Sequence, residues 1–93
     1  MIKSFRCKET EKVFRRIFSK KLSHSIQLSA RRKLVAIDAA ILVGDLKVPP
    51  GNRLEELHGD REGQHSIRIN VQWRVCFEWN NGDSYNVEIA DYH

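Results

Sequence analysis

Three runs near the C-terminus decide the fold. They are Gln64-His65-Ser66-Ile67-Arg68-Ile69-Asn70, Trp73-Arg74-Val75-Cys76-Phe77-Glu78-Trp79, and Tyr85-Asn86-Val87-Glu88-Ile89, the last running into Asp91-Tyr92-His93. Each alternates apolar with polar residues, the period of a strand with one face in a core and the other in water. Asn80-Asn81-Gly82-Asp83 closes the last two runs into a hairpin. A two-residue Asn81-Gly82 turn opposes Phe77 to Asn86 and Val75 to Glu88, mixing apolar with polar on both faces. A three-residue loop, Asn80-Asn81-Gly82 with Gly82 left-handed, opposes Phe77 to Tyr85, Val75 to Val87 and Trp73 to Ile89. A one-residue slip turns every side chain over, so the apolar pattern predicts the three-residue loop.

That register also arranges the other face. It sets Arg74 opposite Glu88 and Cys76 opposite Asn86, with Ala90 and Tyr92 on the same side. Ser66 and Arg68 join them if the preceding strand is a neighbour. One face of the sheet is then a Trp/Phe/Ile/Val core. The opposite face carries arginines, a tyrosine and the chain's end, and function is expected there.

Upstream, residues 1–6 read as a short strand. Residues 9–18 read as a helix, with Val13/Ile17 and Phe14/Phe18 as an apolar stripe at i,i+4 spacing. Lys12, Arg15 and Arg16, followed by Lys20 and Lys21, form either a solvated face or a contact to the phosphates of a large RNA. Ser23 is the expected N-cap of a second helix that runs to about Val43 and ends at Gly44. Its two apolar stripes, Ala30/Leu34/Ile37/Ile41 and Leu28/Val35/Ala39/Leu42, predict packing on both the sheet and the first helix. Arg31 and Asp38 sit between the stripes, in a structural role. Lys47-Val48-Pro49-Pro50-Gly51-Asn52 is a loop, because paired prolines exclude helix and central strand. Residues 53–58 are an expected strand and 59–63 a turn. Two helices ahead of antiparallel strands give an α+β fold, with both N-terminal helices on one face of a mainly antiparallel sheet. Residues 1–93 form one domain.

With 93 residues, 41% hydrophobic and 30% charged, the chain suits one core layer and no more. The net charge of +4 favours a polyanionic partner only weakly. No segment approaches the roughly 20 apolar residues of a membrane span, and the start lacks the apolar run of a signal peptide. A cytoplasmic location is expected. Cys7 and Cys76 form no Cys-x-x-Cys pair and read as reduced thiols. His24, His58, His65 and His93 do not fall at metal-ligand spacing, so no metal and no other cofactor are expected.

Three clusters have chemistry to offer: His58 with Glu55 and Glu56, the pair Arg68/Arg74, and Asp91-Tyr92-His93. A metal-free ribonuclease uses parts of this kind. A base takes the proton of a ribose 2′-OH, which attacks the adjacent phosphate; an acid protonates the departing 5′-oxygen; a fixed cation offsets the phosphorane's charge. A tyrosine can stack on an unpaired base.

In order along the chain, Met1-Ile2-Lys3-Ser4-Phe5, Leu54 and Leu57 before Gly59-Asp60, Ser66-Ile67-Arg68-Ile69, Trp73-Arg74-Val75 with Phe77, and the closing Asp91-Tyr92-His93 resemble the HigB toxins of the RelE-like superfamily. Each piece is short; the ordered set spans the whole chain. Pro49-Pro50-Gly51-Asn52-Arg53-Leu54 and Gly63-Gln64-His65-Ser66-Ile67-Arg68 are most similar to the GraT branch. The resemblance implies a toxin of a type II toxin–antitoxin system, an endoribonuclease that cuts mRNA in the ribosomal A site without metal. It implies neutralisation by a HigA-type helix-turn-helix antitoxin. It also implies a site built from the terminal Asp-Tyr-His and an upstream His and Lys. The terminal triplet matches at Asp91, Tyr92 and His93, but Glu55 stands where the His is expected and His58 where the Lys is. Arg74 or Arg68 then supplies the missing cation.

The roles implied are these. Tyr92 stacks on or orients a base, His93 is the acid or a phosphate ligand, and Asp91 orients His93 or accepts a proton. His58 or Glu55 is the second acid–base group. Arg74 stabilises charge, unless its pairing with Glu88 is structural. Arg53 and Arg68 join Lys12, Arg15, Arg16, Lys20 and Lys21 as RNA-binding candidates. The competing readings are a non-catalytic RNA- or protein-binding module and a stand-alone RNase that cuts naked RNA equally well.

Overall fold

The structure, a computed structural model, describes residues 1–91; Tyr92 and His93, two of the expected site residues, lie outside the described residues. Four strands, β1 (Glu55–Glu56), β2 (Gln64–Arg68), β3 (Trp73–Asn80) and β4 (Asp83–Asp91), form an antiparallel meander in that order. Two helices, α1 (Lys8–Phe14) and α2 (His24–Ala39), precede them. Ala30, Leu34 and Ile37 of α2 pack with Ile67, Val75, Phe77 and Val87 of the sheet in one fully buried cluster. The α+β architecture with helices on one sheet face is as expected.

The hairpin satisfies its apolar pattern by a different device. Asn81 and Gly82 form a two-residue turn, both at positive φ (51° and 83°), and Asn80 pairs with Asp83. Positive φ at both positions matches the right-handed twist of the strands. This turn alone would have put Val75 opposite Glu88. Instead β4 carries an extra residue: the pairing passes from Glu78–Tyr85 to Cys76–Glu88, and Asn86 sits at φ 51°. This bulge shifts the register so that Val75 faces Ile89 and Trp73 faces Asp91. Ser4 holds the bulge through its Oγ, which accepts the Asn86 amide at 2.8 Å. Consequently Arg74 lies opposite Ala90 and not Glu88, and Cys76 lies opposite Glu88 and not Asn86. The two-residue turn was the right turn, and a bulge did the work expected of a longer loop.

The N-terminal segment is not a regular strand. It borders β4 through two isolated parallel bridges, Ile2–Ser84 and Phe5–Val87. Helix α1 stops at Phe14, four residues short of expectation. The Ile17 amide bonds back to the Lys12 carbonyl at 2.8 Å and that of Arg16 to Val13 at 3.2 Å, with Arg16 left-handed at φ 62°. These two bonds are a Schellman closure with arginine where glycine is usual. Beyond it, Gln27 pins the connection to α2: its side chain accepts from the Ser19 amide and donates to the carbonyls of Ser19 and Leu22. The Ser19 hydroxyl donates to Glu9 at 2.6 Å, and that bond holds the Glu9 carboxyl below the usual carboxylate range. With polar bonds fixing the loop, Ile17 and Phe18 stay outside the core, 52% and 63% exposed.

Ser23 caps α2 as expected, accepting from the Ile26 amide. The helix ends at Ala39, before the expected Val43, because Asp45 Oδ2 takes the amides of both Ile41 and Leu42 at 3.0 Å. Residues 43–47 then form a 3-10 turn. The second apolar stripe is not buried: Leu28, Val35, Ala39 and Leu42 are all exposed, as is Ile41.

The two backbone bonds hold the Asp45 carboxyl below its ordinary value of 3.8. A carboxylate depressed in the folded state stabilises above its unfolded pKa, and that stabilisation is lost as pH falls through the folded value. Asp45→Ala should therefore melt below the parent at pH 7. The difference should shrink once pH drops below about 3.8, measurable by circular dichroism melts across pH 2–7.

Candidate active face of the sheet

The side of the sheet away from the helices is built around Arg74. Its register partner on β2 is Arg68, while Glu55 faces Ser66 and Ser66 faces Cys76. Strand pleat puts these residues on one side. Arg74 is only 7% exposed. Its Nε donates to Ser66 Oγ at 2.7 Å, and its Nη2 donates to the carbonyls of Arg53 at 2.6 Å and Ser66 at 3.3 Å. Nη1 stands 3.9 Å from Glu55 Oε1. A guanidinium suits this place because its rigid fork can serve several acceptors at once. The expected Arg74–Glu88 pairing is absent, because the bulge shifted the register. Glu88 instead accepts from Arg61 at 2.6 Å and Arg6 at 3.4 Å.

The loop before β1 delivers the Arg53 carbonyl. Asn52 is 1% exposed; its amide donates to the carbonyls of Leu46 and Val48 and its oxygen accepts from Lys33 of α2. Arg53 follows in the left-handed conformation, φ 45° and ψ 57°. A continuous polar chain thus runs from Lys33 through Asn52 and the Arg53 backbone to Arg74, Ser66 and Glu55. The paired prolines mark this segment as a loop, but not the contacts that Asn52 and the Arg53 carbonyl make.

The other candidates are distributed unevenly. Glu55 is in β1, exposed beside Arg74; β1 is two residues long, and not the expected 53–58. His58 is exposed and starts the 3-10 turn Gly59–Arg61, outside β1. Arg68 is partly exposed, and its Nε donates to the Asn70 carbonyl at 3.1 Å. Asp91 pairs with Trp73, so the pleat places it on the core-face side. It is exposed there and accepts from Gln72 Nε2 at 3.2 Å. Lys12 and Arg15 are ion-paired on their own helix with Glu9 and Glu11. Arg16, Lys20 and Lys21 are exposed at the end of α1 and in the loop after it, on elements that the Arg74 cluster does not include. The Arg61–Glu88 pair was not expected, because the expected register assigned Glu88 to Arg74.

A small apolar patch of Leu57, Cys76 and Ala90 adjoins Arg74 on this face. Burial pushes the Cys76 thiol up from its ordinary value, so it stays neutral and serves as packing. Both cysteines are free thiols. Among the described residues no three His, Cys, Asp or Glu side chains are grouped to hold a metal ion, and no helix is long and apolar enough to cross a membrane.

Comparison with known proteins agrees with this architecture. The fold is similar to that of one chain in the YoeB–YefM toxin–antitoxin complex from Staphylococcus aureus, with a TM-score of 0.63 over 100% of this chain and 98% of the other; at 14% identity this likeness concerns the fold alone. Toxin HigB-1 of Vibrio cholerae is 47% identical over 62 residues, 67% of this chain and 65% of that protein's length. Endoribonuclease HigB of Proteus vulgaris is 36% identical over 93 residues, the full length of both chains. The family model described as the RelE-like toxin of type II toxin–antitoxin system HigB matches residues 3–93. The chain belongs to the HigB-like toxins, RelE-like toxins of type II toxin–antitoxin systems.

Proposed function

We propose that this toxin is an endoribonuclease that cuts mRNA in the ribosomal A site, without metal, by attack of a ribose 2′-OH on the adjacent phosphate. The observation that carries the reading is the full-length similarity to a HigB endoribonuclease, joined to a sheet face on which Arg74, Arg68 and Glu55 stand together. Glu55, half exposed beside a fixed guanidinium, is the general base or the second acid–base group, with His58 as its alternate. His93 protonates the leaving 5′-oxygen or binds the phosphate, Tyr92 stacks on a base, and Asp91 orients the terminal histidine. General acid–base groups supply roughly 10²–10⁴-fold each.

Burial and four close polar neighbours favour Arg74 as the residue that positions Glu55 and the Arg53 loop. Arg68, opposite it and more exposed, then supplies the cation near the phosphate. Arg53, Arg16, Lys20 and Lys21 add phosphate contacts, with Lys12 and Arg15 weaker candidates because acidic neighbours already hold them. An exposed catalytic face gives little substrate orientation by itself, so the ribosome provides it. Work at the ribosome places the protein in the cytoplasm. Its partner is an antitoxin of the HigA helix-turn-helix type, and within the family we place the chain nearest the GraT branch.

Induced expression without the antitoxin should halt bacterial growth, and co-expression of the antitoxin should restore it. Normal growth with soluble toxin confirmed on a gel would contradict the reading.

A further inference from the structure

The outer face of α2 and the end of α1 form a second surface on the helix side of the sheet. A groove of about 380 Å³ is lined by Arg16, Leu28, Arg31 and Arg32. A second, of about 170 Å³, shares Arg16, Leu28 and Arg31 and adds Ile17, Phe18, His24 and Gln27. Three large apolar side chains here stand open to water: Ile17 at 52%, Phe18 at 63% and Leu28 at 54%. Val35, two turns beyond Leu28 on the same helical stripe, is 41% exposed. Scattered exposed apolar residues are ordinary; a contiguous set rimmed by charge marks an interaction site.

The groove is preformed. The Schellman closure sets Arg16, the Gln27–Ser19 bonds set the loop carrying Ile17 and Phe18, and Arg31 Nε donates to the Phe14 carbonyl at 3.1 Å. No acidic residue lines either groove. The missing complement is therefore an acidic, amphipathic protein segment, whose apolar residues cover Phe18, Leu28 and Val35 while its carboxylates meet the arginines. A second copy of this chain fits poorly, since a two-fold contact would set arginines against arginines. RNA would satisfy the arginines and leave the aliphatic side chains without apolar partners.

We infer that this groove is the docking surface for an acidic amphipathic segment of the antitoxin, an inference that rests on the toxin–antitoxin reading proposed above. Arg16 is then shared between antitoxin docking and the phosphate contacts assigned to it.

The test uses the full-length toxin and the purified antitoxin encoded beside it, with binding followed by titration calorimetry. Phe18→Ser with Leu28→Ser, and separately Arg32→Glu, should each weaken binding at least 10-fold with unchanged thermal melts. Raising salt should weaken the parent complex more than the Arg32→Glu complex. Cleavage of ribosome-bound mRNA by the free variants should stay near the parent rate. If the parent binds and both variants bind equally well, the docking site is wrong while the toxin–antitoxin reading stands. If the variants bind the antitoxin normally but lose ribosome-dependent cleavage, the groove is an RNA surface and the inference fails. If the parent itself does not bind, the toxin–antitoxin reading fails with it.

Discussion

Deleting Tyr92 and His93 should abolish cleavage of ribosome-bound mRNA while the melting temperature falls by only a few degrees. The described pairing of β4 runs to Asp91, opposite Trp73, and the last strongly buried apolar residue of that strand is Val87. Ala90, the final buried position among the described residues, also precedes the deletion. The truncation therefore removes little of the described core, yet it takes both residues that match the family's terminal site. His93→Ala alone should cost on the order of 10²-fold if the imidazole donates a proton, and less if it only binds phosphate. Melts and cleavage assays on the same preparations separate the outcomes. A truncated protein that cuts at the parent rate would move the site to Glu55 and His58. A truncated protein that unfolds would make the triplet structural.

Replacing Arg74 by alanine should destabilise the fold by about 3 kcal/mol, since it leaves the buried Ser66 hydroxyl and carbonyl and the part-buried Arg53 carbonyl without their donor. That is a large share of the roughly 5–15 kcal/mol that holds a domain together. Arg74→Lys keeps the charge but loses the rigid fork that reaches Ser66 Oγ and two carbonyls together. It should cost about 2 kcal/mol, or roughly 8–16 °C of melting temperature in a domain of this size. If Arg74 positions Glu55, both stability and cleavage fall together in Arg74→Lys. Arg68→Ala should then lose cleavage at unchanged stability. A stable Arg74→Lys protein that no longer cuts would instead assign Arg74 to the phosphate.

The sequence carried the alternation of β2 to β4 because strand period is visible residue by residue. It did not carry the bulge at Asn86, since the same parity of apolar residues follows from a three-residue loop or from a two-residue turn plus one extra residue. That ambiguity alone misassigned Arg74 to Glu88. The helix ends were missed for a related reason. Ile17, Phe18, Ile41 and Leu42 continue the apolar period, but the backbone closure at Arg16 and the Asp45 carboxylate stop the helices earlier. The expected second stripe of α2 was a real stripe, read in the wrong direction: it faces water. Glu55 and Arg74 do meet on one face, which sequence placed only within a common sheet. Asn52 and Arg61 gave no sign of their partners, because those contacts join residues 19 and 27 positions away.

Ribosome dependence is the central claim, and one assay addresses it directly. The purified toxin is mixed with ribosomes carrying an mRNA codon in the A site, and in parallel with the same mRNA alone at equal concentration. Primer extension should reveal a discrete A-site cut on the ribosome and intact RNA without it. Equal cutting of naked mRNA would contradict the account, and so would an uncut message on programmed ribosomes.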